Sequence, residues 1–443
     1  MSKSGSYFAT FCSVSLGLLT IAGCAAGIAT SPGPGTAVGT QGHQLAQRSN
    51  AGPDTKAIFN IHIFDPNDSG LGVNPQAGLY QDPDKNLFGS TKAGGVYTYG
   101  NAFEITPAGA FTDLHDFGGG EGDGAFPIGV LIPGANGVLY GTTSHGGTGC
   151  FGRGCGTVFA LAPNGSGGYT ESVLYRFADT PDGAIPQAGV ILHDGVLYGT
   201  TSKGGANGHG AIYSLTLAGQ EKVIYSFTGG VDGERPDAAL FAYHGKLYGT
   251  AAEGTTRKAG TVFSVTPAGA FTVIHTFGEK LDGADPEGPL VVSAHGILFG
   301  TTSLGGANGF GMVYGVSPNG ETYNPVYNFK GAANGDGEDS LSGLTVGSGG
   351  TLYGTTNKGG TGPCTAQSIV VGCGTLFELK PNGNGGYAET VLHQFQGVSN
   401  EDGDGAASAV IIESPGMLAG TTNFGGESGS ICPAGCGVVY AYR

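Results

Sequence analysis

Leu139-Tyr140-Gly141-Thr142-Thr143 is one copy of a phrase that recurs seven times along the chain. Copies begin at Leu87 (LFGST), Leu139 (LYGTT), Leu197 (LYGTT), Leu247 (LYGTA), Leu298 (LFGTT), Leu352 (LYGTT) and Leu418 (LAGTT), at steps of 52, 58, 50, 51, 54 and 66 residues. A period near 50 residues marks a repeat architecture, in which each copy is one supersecondary unit buried against its neighbours.

Each period holds four strand-like phrases. The first is small and aliphatic, as in Pro186 to Leu192; the second is the quoted phrase. The third is Gly-Thr-Val-Phe-x-Leu/Val, at Gly156 to Leu161, Gly260 to Val265 and Gly374 to Leu379. The fourth ends on aromatic residues, as in Leu174 to Phe177 and Ile274 to Phe277. Asn136-Gly137, Asp194-Gly195, His244-Gly245 and His295-Gly296 separate the first phrase from the second, and such pairs favour tight hairpin turns with positive φ. The unit therefore reads as a four-stranded antiparallel meander. Side chains grow from Ala, Gly and Thr in the early phrases to Phe, Tyr and His in the late ones. A wedge whose early strands crowd a central axis needs that gradient, and radial sheets of this size make a β-propeller.

The two ends of the repeat region fit one another. Ile58-Phe-Asn-Ile-His-Ile-Phe64 matches the fourth phrase and precedes any first one, while Gly437 to Arg443 matches the third and has no fourth after it. The expectation is an all-β, seven-bladed propeller over 57–443, closed by pairing of the N-terminal strand with the C-terminal blade, which removes the open edges.

Composition narrows the function classes. Among 443 residues, 89 are Gly and only 12% are charged, which suits strands joined by tight turns. A net charge of -16 lacks the basic face that nucleic acid requires, so no nucleic-acid partner is expected. At the N-terminus, Lys3, an apolar run from Tyr7 to Thr20 and then Ile21-Ala22-Gly23-Cys24 resemble a bacterial lipoprotein signal, with Cys24 lipidated after cleavage. The rival is an ordinary secretory signal cut near Ala25 or Ala26. Residues 1–23 are thus read as signal peptide and 24–56 as lipidated Cys plus tether, rich in Gly, Pro, Ser, Thr and Gln. The expected location is exported and membrane-anchored, periplasmic or at the cell surface.

Six cysteines form three local pairs, Cys150 with Cys155, Cys364 with Cys373 and Cys432 with Cys436, each just before a glycine that opens a third strand. Disulfides pinning equivalent loops fit an oxidising compartment. A metal site is the rival, but the spacings lack the regular pattern of zinc motifs.

Taken together, the phrases resemble the GloVer (Gloeo/Verruco) tandem repeat, a family of bacterial surface proteins in which L-Y-G-T-T and G-T-V-F recur at about this period. The resemblance covers nearly all of 57–443. It implies export and a surface anchor, and it supplies no catalytic residue set.

Candidate chemistry gathers on loops. Asp123, Asp182, Asp232, Asp282, Asp336 and Asp404 each precede a Gly ahead of a first strand, with Leu71-Gly72 the departure. The simpler reading is a turn in which Asp caps backbone N–H groups; the alternative is an acidic binding face. Asp336 with Glu338, and Asp402 with Asp404, space carboxylates as Ca²⁺ loops do, yet neither run continues to the bidentate Glu such a loop uses. Ca²⁺ is therefore the alternative to solvated turns, and no other cofactor is indicated. His62, His115, His275 and His393 share a fourth-strand position with Tyr175, Tyr225 and Tyr327, which reads as a packed amphipathic column. His145 and His209 lie in loops between second and third strands and are candidate binding residues. The chain has no Trp, which removes the turn and docking motifs of sialidase-like and quinoprotein rings. It also lacks Gly-x-Ser-x-Gly and His-Glu-x-x-His.

These observations predict a monomeric, lipid-anchored binding or adhesion module with no catalytic residues, using the loop face toward a glycan or an envelope protein. The alternative is an extracellular carbohydrate-active hydrolase or lyase with carboxylates on that face.

Overall fold

The protein, seen in a computed structural model that describes residues 57–65, 70–255, 259–278, 281–366, 369–414, 416–430 and 432–443, is built from seven sheets in sequence order. The signal, Cys24 and the tether lie outside the described residues. Blades 1 to 6 span 80–116, 124–176, 191–226, 241–276, 291–328 and 345–394, each with its strands adjacent in chain order. Blade 7 takes three strands from 411–442, and Ile58–Ile63 supplies its fourth. That strand pairs antiparallel with Val438–Tyr442, from Ile58 opposite Tyr442 to Ile63 opposite Val438, and closes the ring as expected.

The recurring five-residue phrase has one task per position. Its Leu is buried in every blade. Its Gly lies opposite the third-strand aromatic, as Gly141 does Phe159 and Gly199 does Tyr213. A Cβ at Gly141 or Gly199 would sit 2.4 Å from that neighbouring ring or its hydroxyl, so the position admits no side chain. The first Thr reaches across to the next blade: Thr142 Oγ1 donates to the Ala188 carbonyl at 2.8 Å, Thr200 to Ala238 at 3.0 Å, and Thr355 to Ser408 at 2.9 Å. Thr421 makes the same bond to Ala77 at 2.9 Å across the closing junction. The second Thr donates two residues ahead, as Thr201 does to the Lys203 carbonyl at 3.0 Å, and ends the strand. In the copy LYGTA, Thr261 Oγ1 bonds the Asp232 carbonyl instead at 3.1 Å.

Aromatic side chains seal the outer part of every junction. The fourth-strand Phe of each blade meets the third-strand ring of the next edge-on, as Phe177 meets Tyr213 at 5.0 Å and Phe227 meets Phe263 at 5.4 Å. Phe395 with Tyr440 at 5.2 Å and Phe64 with Phe103 at 5.6 Å complete the circuit on both sides of blade 7. Each such contact adds about 0.5–1.5 kcal/mol beyond area burial. The expected small-to-large gradient is this arrangement: hydroxyls and glycines meet near the axis, rings meet outside.

Three of the four hairpin expectations hold, with Asn136, Asp194 and His244 each at positive φ before a positive-φ Gly. His295 is not left-handed; there Gly296 N donates to the Ser293 carbonyl in a different turn.

Candidate binding face

Loops entering each blade and loops between second and third strands interlock on one face. Gly183–Ala184 pairs with Lys203–Gly204, Gly337–Glu338 with Lys358–Gly359, and Gly403–Asp404 with Phe424–Gly425. All three disulfides, Cys150–Cys155, Cys364–Cys373 and Cys432–Cys436, close loops of this face. Three residues past each Asp position the chain turns left-handed, at Asn74, Phe126, Ile185, Arg235, Asp285, Asp339 and Gly405. Each of these donates its N–H to the preceding blade, as Ile185 does to the Cys155 carbonyl at 2.8 Å and Asn74 to Cys436 at 2.8 Å. The inner rim of the face is thus a continuous hydrogen-bonded ring.

The Asp column is committed to this scaffold. Asp182 accepts from Tyr175 Oη at 3.0 Å, Ala178 N at 2.9 Å and Gly183 N at 2.7 Å. Asp336 accepts from Tyr327 Oη at 2.7 Å, Lys330 N at 2.9 Å and Gly337 N at 2.6 Å. Asp232 holds Tyr225 Oη at 2.9 Å, Thr228 N and the Thr228 hydroxyl. Burial works to raise the Asp232 pKa, but these bonds carry it below the ordinary carboxylate value. Histidine replaces tyrosine as partner elsewhere: His115 Nε2 lies 3.3 Å from Asp123, and His275 Nε2 lies 3.1 Å from Asp282. The His/Tyr column is therefore more than packing, since both side chains present a donor to the same carboxylate.

Before blade 7 the column member is Asp402, not Asp404. Asp402 accepts from His393 Nε2 at 2.8 Å, Gln396 N at 3.0 Å and Gly403 N at 2.7 Å. Asp-Gly occurs twice there, at Asp402 and Asp404, and the loop between His393 and the carboxylate is longer than in blades 2 to 4. Asp404 sits beside the Cys364–Cys373 disulfide, and burial pushes its pKa up to about 6. The two sulfurs of that group are spent in the disulfide. At the remaining junction Leu71 takes the Asp position, and among the described residues no carboxylate pairs with His62. His62 Nε2 is buried without a partner, its ring stacks on Phe111 at 4.4 Å, and burial pushes its pKa down to about 4.

A glutamate faces several of these pairs from the following blade, at a position the sequence reading passed over. Glu171, Glu221 and Glu389 occupy equivalent fourth-strand positions, where other blades carry Phe111, Phe271, Tyr323 and Ile58. Burial pushes each of the three up to about 7, and each keeps one buried carboxyl oxygen without a hydrogen bond. The ligand atoms of His115, Asp123 and Glu171 lie within 4.8 Å of one another, close enough for a metal. The same constellation with Tyr175 or Tyr327 in place of His recurs at two other junctions, which fits an inter-blade contact better. In the Ca²⁺ sets, Asp336 and Asp402 each accept three internal hydrogen bonds. Glu338 and Asp404 do not join them in any three-group cluster among the described residues.

Two regions of the face differ in charge. In blades 4 and 5 the Arg235 guanidinium is ringed by Asp237 at 3.0 Å, Glu253 at 3.0 Å, Asp285 at 2.9 Å and Glu287 at 2.7 Å. Between blades 2 and 3 lies a cavity of 480 Å³ lined by His145, Cys150, Arg153, Asp179, Ile185 and Lys203, among others. His145 Nδ1 lies 3.0 Å from Ser144 Oγ, and burial, then Arg153 and Lys92, push its pKa down. His209 is tied to Glu234 at 2.6 Å through Nδ1.

The Gloeobacter/Verrucomicrobia repeat model matches residues 152–366. No curated protein matches the chain by sequence. Among solved structures, an oligogalacturonate lyase in complex with manganese is 11% identical, covers 87% of this chain and 92% of its own, with a TM-score of 0.53. The oligogalacturonate lyase of Vibrio parahaemolyticus is also 11% identical, over 88% of this chain and 94% of its own, with a TM-score of 0.52. The extracellular domain of a one-component system protein from B. thetaiotaomicron is 10% identical, with a TM-score of 0.52, over 88% of this chain and 40% of its own. At these identities the likeness is one of fold.

Proposed function

We propose, for a chain that matches the Gloeobacter/Verrucomicrobia repeat over residues 152–366, an exported, lipid-anchored propeller that acts as a binding or adhesion module through its loop face. One observation carries this reading. Among the described residues, all the exposed large apolar side chains but Leu217 and Ile412 lie in the loops of that face, including Val96, Tyr97, Val231, Leu304, Ile369 and Phe424. Apolar groups gathered on one side of a soluble domain mark a contact surface. The disulfides and interlocked ribbons favour the same reading, because a preformed face loses little entropy on binding.

A hydrolase or lyase is the alternative, and it needs two facing carboxyl groups. The cavity between blades 2 and 3 offers Asp179 as its carboxylate, with basic groups around it. That lining fits recognition better than acid–base cleavage.

The test is adhesion of the protein to immobilised glycans and envelope fractions. Replacing Val96 and Tyr97 by Ser should weaken capture at least roughly tenfold, the loss of a buried apolar anchor. Leu217→Ser, on the opposite face, should leave capture unchanged. Equal effects from both, or product released from a polysaccharide, would overturn the reading. Cys24→Ser should move the protein from the membrane to the soluble fraction.

A further inference from the structure

We propose that the cavity between blades 2 and 3 is a binding site for an anionic ligand, gripped by Arg153 and Lys203 with His145 as a third donor. The inference rests on the loop face being the contact surface and adds the chemistry of what it takes. The chain carries 34 acidic and 18 basic residues, so a basic cavity runs against its overall charge. Two other cations of this face are neutralised: Arg235 by four carboxylates, and Lys358 by Asp339 at 2.8 Å. Among the described residues neither the Arg153 guanidinium nor the Lys203 ammonium has a hydrogen-bond or ion-pair partner. Lys203 is felt by Asp237, and the acid in the lining is Asp179.

The cavity is also preformed. The Cys150–Cys155 disulfide holds one wall, and the Gly183–Ala184 ribbon with Lys203–Gly204 holds another. Gly154 packs so tightly on Gly146 that an added Cβ would lie 1.9 Å from the Gly146 carbonyl oxygen. Ser144 Oγ donates to the Phe126 carbonyl at 3.2 Å and lies 3.0 Å from His145 Nδ1, so Nε2 can donate to an anion once the ring is protonated. Its proton affinity is lowered by burial and by Arg153 and Lys92, a field that an incoming anion would cancel. A volume of 480 Å³ lies within the range of small-molecule sites. The shared chemistry is a carboxylate, phosphate or sulfate group, which a planar guanidinium with neighbouring donors recognises well.

The full chain would be titrated with D-glucuronate, inorganic phosphate and inorganic sulfate, with D-glucose as the neutral control, by calorimetry and by NMR of the histidine ring protons. At least one anion should bind while glucose does not, and the His145 pKa should rise in the complex. Binding by glucuronate alone assigns a sugar acid; binding by phosphate or sulfate assigns an oxyanion, and either supports the site. Arg153→Gln and Lys203→Gln should each weaken binding roughly tenfold, as loss of a charge-assisted hydrogen bond does. Lys222→Gln, exposed outside the cavity, should not. Absence of anion binding, or anion binding untouched by both substitutions with His145 unmoved, overturns the inference. If capture by the loop face still depends on Val96 and Tyr97 in that case, the binding-module reading survives it.

Discussion

Leu71 shows at the scale of one residue what the Asp column does. Six fourth-strand His or Tyr side chains donate a hydrogen bond to a column carboxylate, whereas at the junction where Leu71 takes the Asp position His62 Nε2 has no partner among the described residues. A buried His with its pKa lowered to about 4 lends stability that is present above the unfolded value near 6.5 and is lost as pH falls through about 4. Leu71→Asp should supply the missing acceptor, raise the His62 pKa by more than a unit in an NMR titration, and soften acid unfolding between pH 6 and 4. An unmoved His62 would show that the carboxylate does not reach it. The same column separates two neighbours. Asp402→Asn leaves three donors facing an amide and should cost about 1–3 kcal/mol in denaturant unfolding, whereas Asp404→Asn should cost less. Both columns were legible in the sequence, the Asp-Gly turns and the His/Tyr exchange. Their pairing was not, because the intervening loops vary in length from blade to blade.

Between elements, the blade junctions carry an opposite pH response. Glu171, Glu221 and Glu389 lie against the His/Tyr–Asp pairs of the blade before, with their pKa values raised by burial to about 7. An acid with a raised folded pKa contributes stability that is full below its unfolded value near 4.5 and is lost as pH rises through about 7. The groups facing these carboxyls are His115, Asp123 and Arg176 at Glu171, Asp182 and Tyr175 at Glu221, and Asp336, Lys330 and Tyr327 at Glu389. Glu221→Gln keeps the shape and removes the charge. It should raise the melting temperature by a few degrees at pH 8 and leave it unchanged at pH 4.5. Melting curves of the parent and of Glu221→Gln combined with Glu389→Gln would check this, and a gain equal at both pH values would refute it. The strands themselves were readable because their phrases repeat in order. The glutamates were not, since Phe, Tyr and Ile fill the same position in other blades and erase the pattern.

At the scale of the molecule, everything depends on a circle completed by residues far apart in sequence. Ala57 N donates to the Arg443 carbonyl at 3.1 Å and Arg443 N to Ala57 at 3.1 Å, so the two ends of the ring exchange backbone bonds. Phe64 is wholly buried against Phe103 of blade 1. The sequence showed this much because the first strand lacks its partners and the last blade lacks its fourth strand. It could not show the threonine bonds between blades, which need coordinates to be seen. Removing 57–65 would expose Val438–Tyr442 as an open edge and uncover the Phe103 ring. Loss of one buried Phe alone costs about 3–5 kcal/mol, so a chain beginning at residue 66 should aggregate or melt far below one beginning at 57. A circular permutant that joins 443 to 57 through a short linker and opens in the exposed Gly165–Gly167 hairpin keeps every contact of the ring. It should melt within a few degrees of the chain beginning at 57, and light scattering should find it monomeric. A truncated chain as stable as its parent would mean that the blades do not depend on closure.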